Sequence, residues 1–461
     1  MNWVQIAQYL PTVEQPDKEQ TLKQMMIWTG ITLLLYFLLS EVPLYAADAQ
    51  QVEQALSQLR TFETLLGSEI GTIITLGIGP IVTASIVLQM MVGSDLLKWD
   101  TNTSQGKQKF QAAQKLLAYS VCVVQAAGFV LSGTFGDVSG NMQLFLILTA
   151  QITAGGWLII IMDDLVQKWG FGSGVGLFIA GGVSKAIIIA LISPLTEGGS
   201  PFWLEGGNPA GALFSFATTL EATALITMVS TIGVFAAVVY LQSMRVEIPL
   251  TFGNVRGFGQ KWPLKFFYTS VMPVIFVAAL IANIQIVGTV AAGQDGCSVL
   301  GCFSEGQPQS GLVLLVNPPT EFISSLVAGG LGAVGTGQLF HVLFYITIYT
   351  LGAVVFSIFW ARTTGQDSSS VAEQIQQTGM KVPGFRKDKR VIKKVLDRYI
   401  PALTVVSGAA VGFIAAAADL IQAAGGGMGI LLTVMIIYRM YEQLAQKHME
   451  ELHPALKGMF E

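Results

Sequence analysis

Apolar residues run in long blocks along this chain, and the blocks recur at a length that suits a lipid bilayer. Mainly apolar runs of at least the about 17 residues needed to cross a hydrocarbon core of about 30 Å fall at 27–44, 70–93, 112–135, 142–162, 172–195, 217–244, 266–293, 339–361, 399–421 and 422–438. The pattern predicts ten transmembrane helices. Only the small-residue stretch from Ala423 to Gly427 separates the last two, so that boundary is soft. Ahead of the first run, Trp3, Ile6, Ala7 and Leu10 lie at helical spacing and read either as a short amphipathic helix on the membrane surface, stopped by Pro11, or as a frayed tail. The first run follows polar and acidic residues rather than a short basic region, which predicts a retained helix rather than a cleaved signal.

Composition narrows the class. Of 461 residues 52% are apolar and 12% charged, against roughly 25% charged in a soluble domain. A soluble multidomain enzyme is excluded. The net charge of −4 carries no basic excess, so DNA binding is not expected and any polyanion contact must be local. The cysteines Cys122, Cys297 and Cys302 are too few for a disulfide scaffold, and His341, His448 and His453 stand at no zinc spacing. No metal or cofactor is expected.

Lys and Arg accumulate on the cytoplasmic side of membrane proteins. With the amino terminus inside, 22 of the 25 basic residues fall in inside segments, Lys115 and Lys185 lie within spans, and only Arg60 is outside. Both termini are therefore expected in the cytoplasm. Ten spans also divide into two sets of five, and an odd number per half forces the second half to enter from the opposite side. The sequence displays no convincing internal repeat, so inversion rests on parity.

Three segments break the pattern. Val52, Leu56, Leu59, Phe62 and Leu66 lie at three- and four-residue steps among Glu53, Gln58, Arg60 and Glu63, an amphipathic helix too polar to cross lipid. It runs into Ile70-Gly-Thr-Ile-Ile-Thr-Leu-Gly-Ile-Gly-Pro80, whose glycines and proline break the helix. Broken backbone at membrane depth needs protein or a water-filled cavity around it, although a surface helix leading into a kinked ordinary span reads equally well. Ile78 and Val82 then share one helix face, as do Val175 and Ile179 in span 5, and such pairs serve either packing or a pore constriction. Finally, residues 362–398 form the one long polar loop, with seven bases between Arg386 and Arg398. A topology signal and anionic-lipid contact compete there with docking of an acidic partner such as ribosomal RNA.

Several runs resemble a known family. Leu76-Gly-Ile-Gly-Pro-Ile-Val-Thr83, Lys168-Trp-Gly-Phe-Gly-Ser-Gly-Val-Gly-Leu-Phe-Ile179, Met244-Arg-Val-Glu-Ile-Pro249, Ala282-Asn-Ile-Gln285, Tyr438-Arg-Met-Tyr-Glu-Gln443 and Glu451-Leu-His-Pro454 are similar, in order along nearly the whole chain, to the archaeal branch of the SecY family of protein-conducting channels. The resemblance implies an all-α polytopic membrane protein with ten transmembrane helices in two inverted five-helix halves around an hourglass pore. The implied boundaries are a cytoplasmic tail at 1–26, a first half at 27–195, a second half at 196–438 with cytoplasmic loops at 245–265 and 362–398, and a tail at 439–461.

The same resemblance implies site residues. A constricting ring would comprise Ile78, Val82, Val175, Ile179, Ile275 and Leu432. A plug of about 58–68 would include Arg60, Phe62, Glu63, Leu65 and Leu66. A lateral gate between spans 2 and 3 and spans 7 and 8 would be lined by Thr83, Gln89, Asn283 and Gln285. Arg256, Arg386 and Lys387 would dock the ribosome, although Asn254 stands where the family pattern leads one to expect a base. Implied partners are small single-span SecE-type and beta-type subunits, the ribosome, signal sequences, nascent chains and membrane lipids, in the cytoplasmic membrane and with no enzymatic activity.

Two other classes share some features. A gradient-driven transporter would place ionisable groups near the midplane, where Lys185 stands almost alone with Glu221 as a candidate partner. An intramembrane protease would need a Ser and His pair or paired aspartates in spans, and Asp163, Asp164 and His341 form no such constellation. Cys297 and Cys302, flanked by Gly296 and Gly301 in an outside loop, are read as a possible disulfide or as two free thiols.

Overall fold

In a computed structural model the chain is described over residues 10–452 except 19, 48–51, 53–66, 95, 98, 100–102, 137–140, 197–199, 206–208, 221, 253–258, 270–271, 293–296, 299–300, 305–306, 320, 331–334, 378–379 and 382–388. Ten principal helices follow the ten apolar runs: α1 Leu22–Ser40, α2 Gly79–Gly93, α3 Ser104–Leu131, α4 Met142–Trp169, α5 Gly174–Ile192, α6 Ala222–Ser243, α7 Met272–Ala292, α8 Thr336–Thr363, α9 Lys389–Leu420 and α10 Gly427–Leu452. Among the described residues seven helices are long and apolar enough to cross a membrane, and shorter apolar helices lie at Gly79–Gly93 and Met272–Gln285.

Local chemistry explains the starts. Thr21 caps α1 in a reciprocal box with Gln24, Thr103 accepts from the Gly106 amide at 3.1 Å, and Asn141 accepts from the Leu144 amide at 3.2 Å. Where the expected bounds fail, the reason is local. The run 70–93 is helical only from Gly79, because Gly71 and Gly77 adopt positive φ (89° and 49°) and wind residues 70–78 into successive turns. Pro80, whose missing N–H costs nothing in a first turn, then starts α2. At the other extreme, α9 begins ten residues before the expected span, since Ile392 and Leu396 bury an apolar stripe ahead of it in one cluster with Ile248 and Ile375, and α10 runs well beyond its expected end.

Packing divides the helices into two equivalent sets. In the first half α1 packs on α4 and α5, α2 on α3, α3 on α4 and α4 on α5; each contact has its counterpart five helices on, α6 on α9 and α10, α7 on α8, α8 on α9 and α9 on α10. The halves meet along two seams, α2 and α3 against α7 and α8 on one side and α5 against α10 on the other. This equivalence exposes a repeat too short to stand out in the sequence. α2 and α7 each carry proline as second residue, Pro80 and Pro273, and α5 and α10 open with Gly174-Val-Gly-Leu-Phe-Ile179 and Gly427-Met-Gly-Ile-Leu-Leu432. The second glycine of each motif seats the two helices together: a Cβ on Gly176 would meet Ile436 at 3.4 Å, and one on Gly429 would meet Val183 at 3.0 Å.

The end of the bundle at which α10 finishes carries a small sheet beside the helices. β1 (Arg245–Phe252) and β2 (Gly259–Lys265) form an antiparallel hairpin, and β6 (Met380–Lys381) adds to β1 through Thr251 and Phe252. The loops at 245–265 and 362–398 are thus one unit, cored by Ile248, Leu264, Val371, Ala372, Ile375 and Ile392. Tyr268 donates to the Gln366 carbonyl at 2.6 Å, and Lys265 pairs with Glu442 on α10. On the opposite face β3 (Cys297–Ser298), β4 (Gly301–Ser304) and β5 (Gln307–Pro308) form a second small sheet.

Candidate functional site

The six aliphatic residues of the expected ring come from α5, α7, α10 and the entry of α2. Ile78, Val82, Val175, Ile179, Ile275 and Leu432 are all buried in one apolar cluster, with Ile78, Ile179 and Leu432 fully inaccessible. Four of them occupy equivalent places in the two halves. Val82 and Ile275 each follow the entry proline by two residues, and Ile179 and Leu432 each follow the opening glycine by five. The cluster therefore lies where both seams converge on the middle of the bundle.

Beside it, the α2/α3–α7 seam is held by polar side chains. Gln125 Nε2 on α3 donates to Thr83 Oγ1 and to Asn283 Oδ1, both at 3.1 Å, while Asn283 Nδ2 donates to Thr83 Oγ1 at 3.3 Å and to the Ala279 carbonyl at 2.7 Å. Three helices are joined in one small network facing an enclosed cavity of about 20 Å³, room for about one water. Of the four expected gate residues, Thr83 and Asn283 meet here. Gln285 instead donates to Asn317 Oδ1 at 3.2 Å, and the Asn317 carbonyl accepts from His341 Nε2 at 3.0 Å. Gln89 is buried, and its amide oxygen has no hydrogen-bond partner among the described residues. The sequence reading missed Gln125, although a lone glutamine inside Val123-Val-Gln-Ala-Ala127 was a visible signal, because an uncompensated amide in lipid costs several kcal/mol.

Charge elsewhere in the bundle is committed to structure. Lys185 pairs with Glu41 at 3.0 Å and Glu69 at 2.5 Å, tying α5 to the end of α1 and to the segment entering α2. The candidate partner Glu221 lies outside the described residues, and the two observed carboxylates stand where α1 ends and the chain approaches α2, so the Lys185 ammonium faces that end of the bundle rather than its middle. Asp164 bridges Lys115 at 3.1 Å and Lys168 at 3.0 Å and accepts from the Val13 amide at 2.9 Å. Asp163, separately, accepts from the Val175 amide. Neither aspartate is free for proteolytic chemistry, and no metal-binding group of acidic, His or Cys side chains occurs among the described residues.

Between α1, α5 and α10 an apolar groove of about 910 Å³ opens outward, lined by Met26, Leu33, Phe37, Ile188, Ile189 and Ile437 among others. Across β3 and β4, Cys297 and Cys302 stand directly opposite and are joined by a disulfide, while Cys122 is buried and free. The bridge closes a very small loop, so its chain-entropy contribution lies below the about 3 kcal/mol of a 15-residue loop. Alkylation of freshly isolated membranes without reductant is expected to leave residues 297 and 302 unmodified, and reductant should expose both; two alkylated thiols before reduction would contradict the bridge. The expected amphipathic helix 3–10 up to residue 9, the plug residues Arg60, Phe62, Glu63, Leu65 and Leu66, and the docking residues Arg256, Arg386 and Lys387 with Asn254 lie outside the described residues.

A ten-helix bundle whose two equivalent five-helix halves meet along two seams has the inverted-repeat architecture found in membrane channels and transporters. The comparisons with known proteins agree: the SecY family profile matches residues 72–441, and the chain belongs to that family. The protein translocase subunit SecY of Methanocaldococcus jannaschii is 40% identical over 458 residues, covering 98% of each chain. That of Haloarcula marismortui is 38% identical over the full length of both. Among solved structures, one described as a protein conducting channel superposes with a TM-score of 0.83 at 38% identity over 99% of each chain. Sec61 of a canine ribosome-channel complex superposes with 0.80 at 38% identity over 99% of each.

Proposed function

We propose that this chain forms the polypeptide-conducting pore of a translocase in the cell membrane, with both termini in the cytoplasm. Secretory chains pass through the girdle of Ile78, Val82, Val175, Ile179, Ile275 and Leu432, and apolar segments leave sideways between α2/α3 and α7/α8. The observation that carries the reading is the gathering of all six aliphatic residues from both halves in one buried cluster, next to a seam that Thr83, Gln125 and Asn283 join by side-chain hydrogen bonds. An aliphatic girdle offers water and ions no partners and closes by dewetting, yet yields around a chain. The Thr83–Gln125–Asn283 network favours the closed seam, and a signal sequence that inserts there replaces it with apolar contacts. The chain acts as a conduit and carries no catalysis of its own. A gradient-driven transporter is not favoured, since Lys185 is neutralised by two carboxylates away from the midplane.

Two partner surfaces follow. The basic loops share one folded scaffold and form the face for the ribosome, consistent with the similarity to Sec61 of a ribosome-channel complex. The α1/α5/α10 groove accepts the helix of a single-span SecE-type subunit, because it is open, almost wholly apolar and lined by small residues such as Gly30, Ala180 and Gly181 that let a helix approach closely; a beta-type subunit completes the complex. The chain purified from its own membranes in mild detergent is expected to bring two small single-span chains with it. Ser184→Trp, which fills the groove away from the girdle, should release the SecE-type chain while leaving a monodisperse protein. Purification of a folded wild-type chain alone would overturn this partner assignment.

A further inference from the structure

α5 and α10 begin without a capping side chain of their own kind. Ser173, at the cap position of α5, makes no side-chain hydrogen bond. The orphan amides are instead taken by an aspartate on the preceding helix. Asp163 Oδ1 on α4 accepts from the Val175 amide at 2.9 Å, and Asp419 Oδ1 on α9 accepts from the Gly427 amide at 2.7 Å. In both cases the second oxygen is held by a side-chain donor, Gln167 Nε2 at 2.8 Å for Asp163 and Tyr345 OH at 2.9 Å for Asp419. In both cases the receiving helix opens with a glycine pressed on the donor helix. A Cβ on Gly174 would come within 2.6 Å of Asp163 Cα, and one on Gly427 within 2.2 Å of Ala418 Cβ, so only glycine lets the carboxylate reach the helix end.

The two constructions occupy equivalent positions in the inverted halves, on opposite faces of the bundle. We infer that Asp163 and Asp419 are positioning residues that set the axial register of α5 and α10, and with it the height at which Val175, Ile179 and Leu432 enter the girdle. A carboxylate facing the positive end of a helix binds it through both charge and hydrogen bonds. Val175 is itself a girdle residue, so its own amide is the bonded atom. On the other side, Leu432 lies five residues beyond the bonded Gly427. Bonding at both ends also gives a reason for the aspartates to sit inside a bundle otherwise nearly free of acid. The inference rests on the girdle assigned above.

The test uses the purified complex in planar bilayers, with Asp163→Ala, Asp419→Ala, the corresponding Asn variants, and Ile179→Gly with Leu432→Gly as the control for the girdle. Loss of one charge-assisted hydrogen bond of about 1.4 kcal/mol shifts a two-state equilibrium about tenfold. Each Ala variant is therefore expected to raise resting conductance about tenfold and to speed amide exchange at Val175 or Gly427, while Asn, whose side-chain oxygen still accepts, restores both. A merely structural role would lower thermal stability in the Ala variants without raising their resting conductance. If the Gly control leaks and the Ala variants stay sealed despite faster exchange, the positioning role is overturned and the girdle stands. If the Gly control also stays sealed, the girdle assignment itself fails.

Discussion

Replacing Ile78, Val82, Ile179 and Leu432 together with glycine is expected to turn a sealed resting channel into one that passes ions, with currents rising from the bilayer background to resolved openings. The four side chains are buried in one cluster that joins the two halves. Closure by dewetting depends on apolar surface filling the narrowest section; glycine removes the surface and leaves polar backbone that water can wet. The same change removes packing worth about 2–5 kcal/mol at each large aliphatic position, so the protein should also melt earlier. The two effects separate by position. Gly substitution at Val130, Phe135, Leu148 and Ile152, equally buried but in the other apolar cluster with Cys122, should destabilise comparably and leave the seal intact. Equal leak from both sets would mean that loosened packing, not a girdle, sets conductance.

Charge reversal at Arg386 and Lys387 is expected to weaken ribosome binding and to lower its dependence on salt. Phosphate contacts release counterions, and each lost contact reduces the log–log salt slope by about 0.7–0.9, so the double variant should lose about 1.5. The fold adds an expectation that the residues alone do not carry. Because β6 pairs with β1 and both loops share the core around Ile248, Ile375 and Ile392, Ile375→Asp should cost ribosome affinity without touching a base, by releasing one loop from the other. Sedimentation of ribosomes with the purified complex over a salt series reads both effects. A wild-type affinity that is flat with salt would remove phosphate recognition from this face.

Ten spans were legible because lipid imposes a length and a composition that no other environment does, and α4 even begins at the expected residue. The ring residues were legible only through resemblance. An aliphatic pair at helical spacing looks the same whether it packs or seals, and the distinction lies in which helices converge. The repeat was hidden because it survives in so few positions, Pro80 with Pro273 and Gly174-x-Gly with Gly427-x-Gly, diluted among generic apolar residues. The small sheets escaped since β6 has only two residues and pairs with a strand distant in sequence, and the hairpin of β1 and β2 carries prolines at Pro249 and Pro263 that argue against strands. The partners of Lys185 escaped for a similar reason: Glu41 and Glu69 come from two other segments, and the sharing of one cation by two acids is a tertiary fact. Gln125, by contrast, was readable from the cost of an amide in an apolar run.

The central claim is that a translocating polypeptide threads the aliphatic girdle. A photo-crosslinking residue placed singly at Ile179 or Leu432, with Leu34 and Ile189 on exposed helix surfaces as controls, can be combined with a ribosome carrying a stalled secretory chain. Crosslinks from 179 and 432 to the nascent chain, lost when the chain is released and absent from 34 and 189, are the predicted result; equal labelling at all four positions, or none at 179 and 432 while translocation proceeds, would contradict it.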